Sequence, residues 1–374
     1  MSPYLTPTEL SRALSVRDLT DPAQGYHAAQ ALLDSVIRNL TAAWPSTTVR
    51  IVRTPPIVAI TDNYDLLGYD PEDVTRDARY TRYLSPTTML RSHTSADIPA
   101  MLRGYSQVAE DNSRDELIVL PGLAYRRDVV DRIHVGEPQQ VDLWRLWSGR
   151  ACGAEDLRIV VARLVESVLP GARWRMVPAR HPYTRDGRQV DVWHAGEWLE
   201  LAECGLIAER VLRGAGLDPA RWSGLALGMG VDRALMLRKG IPDIRYLRAG
   251  DERIAEQMRD LSPWRPVSAM PPIRRDLSVV VPDEIDDETL GDMVRAALDE
   301  RADDIESIHV LARTRHGDLP EPVRIRLGTT SGQSNALVRL VIRPLTRTLT
   351  NTEANALRNE VYRAIHIGPV SELA

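Results

Sequence analysis

Between Leu117 and Leu201 strand-like runs follow one another with too few helices between them for parallel pairing, and that order limits the fold more than any other feature. Leu117–Leu120, Gln140–Trp144, Arg188–Trp193 and Trp198–Leu201 read as strands, with one helical stretch from about Glu155 to Val168. A parallel sheet needs a crossover helix between successive strands, so irregular alternation predicts an α+β fold on an antiparallel sheet. Upstream, Asp21-Pro22 reads as a capping residue with proline in the first turn. Ala29, Leu32, Leu33, Val36, Ile37 and Leu40 then recur at helical spacing, predicting an amphipathic helix of about five turns. After the break at Trp44-Pro45-Ser46, Val49–Val52 reads as a short strand leading into Thr54-Pro55-Pro56. Residues 62–90 are polar and irregular.

Proline is dense from Pro263 to Pro272, which predicts a linker between two parts: a larger one at 1–262 and a smaller one at 273–374. The smaller part reads as strand Asp276–Val281, helix Glu288–Ala302, strands Ser307–Ala312 and Ala336–Ile342, and helix Thr352–Ile365, a βαββαβ-like module. Its charge is segregated: Asp276–Glu306 holds twelve acidic residues and two arginines, Arg313–Arg347 seven arginines and two acids. That pattern fits two solvated faces as well as a surface that meets RNA.

Composition narrows the function classes. The net charge of −5 gives no bulk argument for a nucleic-acid partner. No stretch approaches the roughly 20 apolar residues of a membrane span, so no membrane partner is expected. Met1-Ser2-Pro3-Tyr4 has no basic segment before a hydrophobic run, so a cytoplasmic location is expected. Cys152 and Cys204 are too few for a disulfide framework and read as reduced thiols. Lys239 is the one lysine beside 46 arginines, and phenylalanine is absent, a bias that GC-rich codons would produce.

Three segments combine Arg, Gly and acidic residues as a nucleotide site would. In Ala124–His134, alternation along a strand would send Arg126 and Asp128 to one face, to hold a phosphate and orient an amine or metal, or to form a surface ion-pair ladder. In Gly228-Met229-Gly230-Val231-Asp232-Arg233, two glycines permit close backbone approach before a helix that begins near Val231 and carries Arg233 in its first turn; helix packing explains such a run equally well. Arg91-Ser92-His93-Thr94-Ser95 reads by itself as a helix cap.

Taken together and in this order, these segments resemble the three motifs of the class II aminoacyl-tRNA synthetases, and specifically the phenylalanyl-tRNA synthetase family. The likeness runs from Thr54-Pro55-Pro56 and Asp62-Asn63-Tyr64-Asp65 through Met89–Ser95, Tyr125–Asp128, Trp198-Leu199-Glu200 and Cys204-Gly205 to Ser223–Arg233 and Gly240–Arg245. Beyond the linker, Arg274–Val281 and Arg347–Thr350 are similar to the family's ferredoxin-like anticodon-binding domain. The arrangement implied is that of the single-chain organellar enzymes: a class II antiparallel-sheet catalytic core followed by a C-terminal ferredoxin-like βαββαβ domain.

The resemblance implies a ligase that activates an amino acid with ATP and Mg2+ to an aminoacyl adenylate and transfers it to tRNA. It assigns Arg126 to the α-phosphate and substrate carboxylate, Arg233 to the γ-phosphate, and His134, Asp128, Gly228 and Gly230 to the nucleotide side. His93, Ser95, Gln140 and Asp142 engage the amino acid and its α-amino group, Gly205 and Ala226 belong to the side-chain pocket, and Glu200 is the magnesium ligand. It implies a monomer in preference to a dimer formed around Pro56.

The departures fall in the amino-acid pocket. His181-Pro182-Tyr183 stands where the family has Phe-Pro-Phe around an aromatic ring, and Pro138-Gln139-Gln140 where it has Phe-His-Gln. Glu203 replaces a small residue and Ile98 a Gln, while Ala226, whose small size leaves room for the ring, is retained. A buried carboxylate or imidazole is a costly neighbour for an unsubstituted ring unless Glu203 and His181 satisfy each other. Three readings follow: a phenylalanine-type ligase with an altered pocket, a freestanding enzyme that activates another amino acid for specialised metabolism, and a non-catalytic tRNA-binding paralogue.

Overall fold

A computed structural model describes residues 4–106, 114–267, 271–345 and 347–369; part of the proline-dense stretch, 268–270, lies outside the described residues. The chain divides into two compact units. The first comprises 1–126, 137–241 and 257–264; the second comprises 127–136, 242–256 and 265–374.

The first unit carries strands β1 (Thr48–Ile51), β2 (Ile57–Ala59), β3 (Thr88–Leu90), β4 (Asp115–Leu123), β5 (Gln139–Ser148), β6 (Trp174–Pro178), β7 (Thr184–His194), β8 (Glu197–Ile207) and β9 (Trp222–Gly230). Among the described residues seven of them form one sheet in the order β1-β4-β5-β9-β8-β7-β6. The expected antiparallel sheet is there, with one exception: the edge strand β1 runs parallel to β4. Strand β9 is not among the strands expected from the sequence, in which Gly228 and Gly230 read only as close-approach positions before a helix. Its glycines hide the apolar alternation of Leu225, Leu227 and Met229, and tertiary pairing on both sides overrides their low strand propensity.

Alternation divides β5 and β9 between two faces. Trp144, Leu146 and Ala226 join Leu67, Ile98, Leu102, Ile118 and Ile207 in one apolar cluster. On the other face lie the helices Ala28–Ala43, Ala154–Val168 and Val231–Lys239. The first of these begins later than expected. Asp21 caps only a short 3₁₀ turn at Pro22–Gln24, and His27 caps the long helix through its Nδ1, which accepts from Ala29 N at 3.1 Å. Beyond its C-terminal end, Arg145 of β5 lies between the rings of Trp44 and Trp147, 3.7 and 4.1 Å from their centroids. Its guanidinium grips Asp115 at 2.9 and 2.8 Å and donates to Thr47 Oγ1 at 2.8 Å.

Lys239 closes the helix Val231–Lys239. Its ammonium, 1% exposed, donates to the Asp260 and Ser262 carbonyls at 2.8 and 2.6 Å and lies 3.5 Å from Asp260 Oδ1. A compact three-donor head suits two converging carbonyls better than a planar guanidinium fork does.

The second unit has a sheet of β10 (Ile273–Pro282), β11 (Ile305–Arg315) and β12 (Gln333–Ile342), ordered β10-β12-β11 and antiparallel. Helices Asp287–Leu298 and Asn351–Ile365 bury Leu290, Val294, Leu357 and Val361 against Val279, Val338 and Leu340. Strand, helix, strand, strand, helix appear as expected, and at the place of a last strand the described residues, which end at Pro369, make two bonds beside β10. Ile367 N donates to Val280 O at 2.9 Å, and Val280 N donates to His366 Nδ1 at 3.0 Å. The segregated charges largely answer each other: Arg339 pairs with Asp276 at 2.8 Å across the strands, Arg343 with Glu306 at 2.7 Å and Arg313 with Asp287 at 3.6 Å.

The segment 127–136 is part of this unit's core. Val130 packs in the apolar cluster and its carbonyl accepts from Ile308 N at 2.9 Å. Arg295 donates to the carbonyls of Asp128 and Val129, and Arg127 meets Asp292 at 3.1 Å. Arg245 is held by Asp243 at 2.6 Å and donates to the carbonyls of Asp303 and Arg343.

Candidate active site

The site face of the first unit is a grid set by strand register. Gln140 lies opposite Gly230; Asp142 opposite Gly228, itself opposite Glu203; and Trp144 opposite Ala226, itself opposite Gly205. The two central glycines keep this floor low. A Cβ on Gly228 would sit 3.5 Å from Asp142 Oδ1 and 3.6 Å from Gln140 Nε2, and one on Gly230 would meet nothing within 4 Å. Gly205 is needed for a different reason, since a Cβ there would fall 2.7 Å from Thr184 Cβ.

Asp142 is fully buried and accepts from Thr94 Oγ1 and Ser95 Oγ, both at 2.6 Å; burial pushes its pKa up and these hydroxyls oppose the shift. The run Arg91–Ser95, read as a cap, does something else. His93 makes no capping bond at the 3₁₀ turn Thr94–Asp97, and the following hydroxyls are spent on Asp142. Arg91 braces the run by donating to Leu123 O at 2.9 Å and to Asp97 Oδ2 at 3.0 Å.

His93 stacks on Tyr69 at 5.6 Å, and both its ring nitrogens are buried without a hydrogen-bond partner. Burial, helped by the charges of Arg126 and Arg91, lowers its pKa to about 3, so the ring is neutral near pH 7. The folded pKa lies below that of the unfolded chain. Acid therefore protonates the unfolded state first, and His93 removes stability as pH falls from about 6.5 towards 3, at up to about 1.4 kcal/mol per unit. In His93→Gln the urea midpoint is expected to fall less steeply than in the parent over that window.

The charged end of the site lies around Glu200. Its carboxyl is raised by burial and by Glu203, and is held back by Arg233 and Arg126. Arg233 belongs to the first turn of the helix after β9, and Arg126 follows β4 with only an isolated bridge to Thr81. Two guanidiniums distant in sequence therefore act on one carboxylate.

Arg126 and Asp128 do not share a strand face as alternation predicted. Strand β4 ends at Leu123, and Asp128 lies in the second unit, where its Oδ1 accepts from Val129 N at 2.9 Å. His134 lies there too, with its Nδ1 2.8 Å from Asp131 Oδ2. In the first unit the structure gathers His93, Ser95, Gln140, Asp142, Glu203, Gly205, Ala226, Gly228 and Gly230 on or beside the grid. His181 and Tyr183 join them through a ring contact at 6.2 Å and the approach of His181 Nε2 to Glu203 Oε1 at 3.2 Å.

Sequence reasoning passed over three residues. Thr94 lay inside a quoted motif, and Trp144 follows Asp142 by two on a strand, so alternation would have found it. Tyr69 falls in an irregular stretch with no signal. Among the described residues no group of three or more His, Cys, Asp or Glu forms a metal cage, and no helix is long and apolar enough to cross a membrane.

The family model for the tRNA synthetases class II core domain (F) matches residues 18–258. The chain belongs to the class II aminoacyl-tRNA synthetase family. The matched residues contain the whole grid, Glu200 and both arginines. The chain is similar to the phenylalanine–tRNA ligase alpha subunit of Prochlorococcus marinus (strain MIT 9313), 34% identical over 64% of this chain and 69% of that one. It is also similar to the chloroplastic/mitochondrial phenylalanine–tRNA ligase of Arabidopsis thaliana, 28% identical over 82% of this chain and 68% of that one. A third likeness is to the mitochondrial phenylalanine–tRNA ligase of Saccharomyces cerevisiae, 25% identical over 82% of this chain and 79% of that one. The two organellar matches cover more of this chain than the alpha-subunit match does.

Proposed function

We propose that the chain activates an amino acid with ATP to an aminoacyl adenylate and transfers the aminoacyl group to tRNA. The observation that carries this reading is a glycine floor that ends at the buried Asp142, with the charges of Arg126 and Arg233 both acting on the Glu200 carboxylate beside it. Guanidiniums fixed before the reaction suit a triphosphate, and the charge that develops when the substrate carboxylate attacks the α-phosphorus needs stabilisation more than a general base. In this reading Asp142 and Gln140 receive the α-ammonium, and neutral His93 adds no competing positive charge there.

Glu200 fits a magnesium ligand. Mg2+ is held by one or two carboxylates together with phosphate oxygens, a set that a single carboxylate beside the proposed triphosphate would supply. Bound there, the metal would neutralise phosphate charge. The second unit is the candidate anticodon-binding part, though Tyr246 and Tyr362 are its only tyrosines and Tyr362 stacks on its own His366 at 4.5 Å. Phosphate contacts by arginines would then outweigh base stacking.

Amino-acid-dependent ATP–pyrophosphate exchange across the twenty proteinogenic amino acids and common analogues tests adenylation, and charging of total tRNA tests transfer. Exchange without charging would favour a freestanding amino-acid-activating enzyme. No exchange with any amino acid, while tRNA still binds, would leave the non-catalytic paralogue.

A further inference from the structure

Ala226 is 0% and Trp144 1% exposed, although they sit side by side on the substrate face. An apolar cavity that admits a benzene ring has a volume of about 150 Å3 and would leave its walls partly exposed. Here the depth in front of Ala226 is filled by the chain's own rings, since Tyr183 lies over Trp144 with centroids 5.6 Å apart and reaches towards Ser95. Retaining Ala226 therefore does not retain a ring pocket.

Nearer the mouth, the row Asp142–Gly228–Glu203 places a carboxylate on each side of a glycine gap. The His181 side chain is 7% exposed. Its Nε2 comes within 3.2 Å of Glu203 Oε1 but is misaligned for a hydrogen bond and has no other partner. The pair therefore attracts without being satisfied, and Glu203, acceptor-only when ionised, has lone pairs to spare.

Resting on the adenylation reading, we propose that the side-chain subsite takes an amino acid whose side chain is shorter than a benzyl group and carries a hydrogen-bond donor, a hydroxyl or amino group. Glu203 accepts from that donor, and His181 fixes the carboxylate from behind. A benzyl side chain would find its place occupied by Trp144 and Tyr183 and would offer Glu203 no donor. A site built to hydrogen-bond a substrate group discriminates strongly against the analogue that lacks it.

Calorimetric titration of the intact chain with serine, threonine, homoserine, 2,3-diaminopropionate, alanine, phenylalanine and tyrosine tests this without needing turnover. One of the four short donor-bearing amino acids is expected to bind at least about 100-fold tighter than alanine and phenylalanine. Glu203→Ala, at a half-exposed position, is expected to keep the melting temperature and reduce that preference to less than about tenfold. Phenylalanine or tyrosine as the tightest ligand, no binding by any member, or an unchanged preference in Glu203→Ala would overturn the proposal. The preferred ligand is then supplied in the exchange assay. Tight, selective binding without exchange would overturn adenylation and leave the subsite standing.

Discussion

Arg233→Ala is expected to lower amino-acid-dependent ATP–pyrophosphate exchange by about 10²–10³-fold, chiefly in kcat, because a fixed donor aimed at developing phosphate charge contributes most in the transition state. The folded chain should tolerate the change. Arg233 is half-buried at the first turn of its helix, while the buried Asp232 beside it holds Gln139 N at 2.8 Å and keeps helix and β5 together. Arg233→Lys restores charge but not the planar fork, and should recover only part of the rate. Exchange within threefold of the parent in Arg233→Ala would remove this arginine from the chemistry. A loss seen only as a raised KM for ATP would make it a ground-state binding group.

Asp115→Ala is expected to cost about 3–5 kcal/mol of stability, read as a lower urea midpoint, because it strands the Arg145 guanidinium inside the protein. Arg145 is 3% exposed and one of its terminal nitrogens already lacks a partner. Removing both charges should cost less than removing one. Asp115→Ala with Arg145→Met is therefore expected to be more stable than Asp115→Ala alone, since Met can fill the space between Trp44 and Trp147. If the double variant is the less stable, the aromatic sandwich rather than the ion pair dominates.

What could be read from the sequence follows from how local its cause was. The antiparallel core was legible because β4, β5, β7 and β8 alternate or run apolar over their own residues. The helix Ala154–Val168 was legible through its spacing. Strand β9 was not, because three glycines carry no side-chain pattern and its strand state is imposed by β5 and β8. Asp21-Pro22 gave a sound N-terminal signal, but for a 3₁₀ turn that Gly25 ends with φ at +99°, before the long helix starts. In the site, residue types that meet through register, Asp142 with Gly228 and Glu203, could be named individually but not as a row. The partition of Arg126 from Asp128 was hidden because it depends on Val130 packing in another unit's core. The two bonds that tie His366 and Ile367 to Val280 are likewise encoded by no periodicity.

The setting of Lys239 has a chemical consequence for a chain proposed to make an aminoacyl adenylate. An aminoacyl adenylate is a mixed anhydride that acylates any free amine it meets, and lysine is the amine that proteins most often expose. Here the single lysine is enclosed, with its ammonium engaged by two carbonyls and a carboxylate. A leaked product would find no lysine on the folded surface to modify. An amine-directed reagent such as an N-hydroxysuccinimide ester should likewise leave Lys239 untouched until urea unfolds the chain, and peptide mapping by mass spectrometry would register the difference.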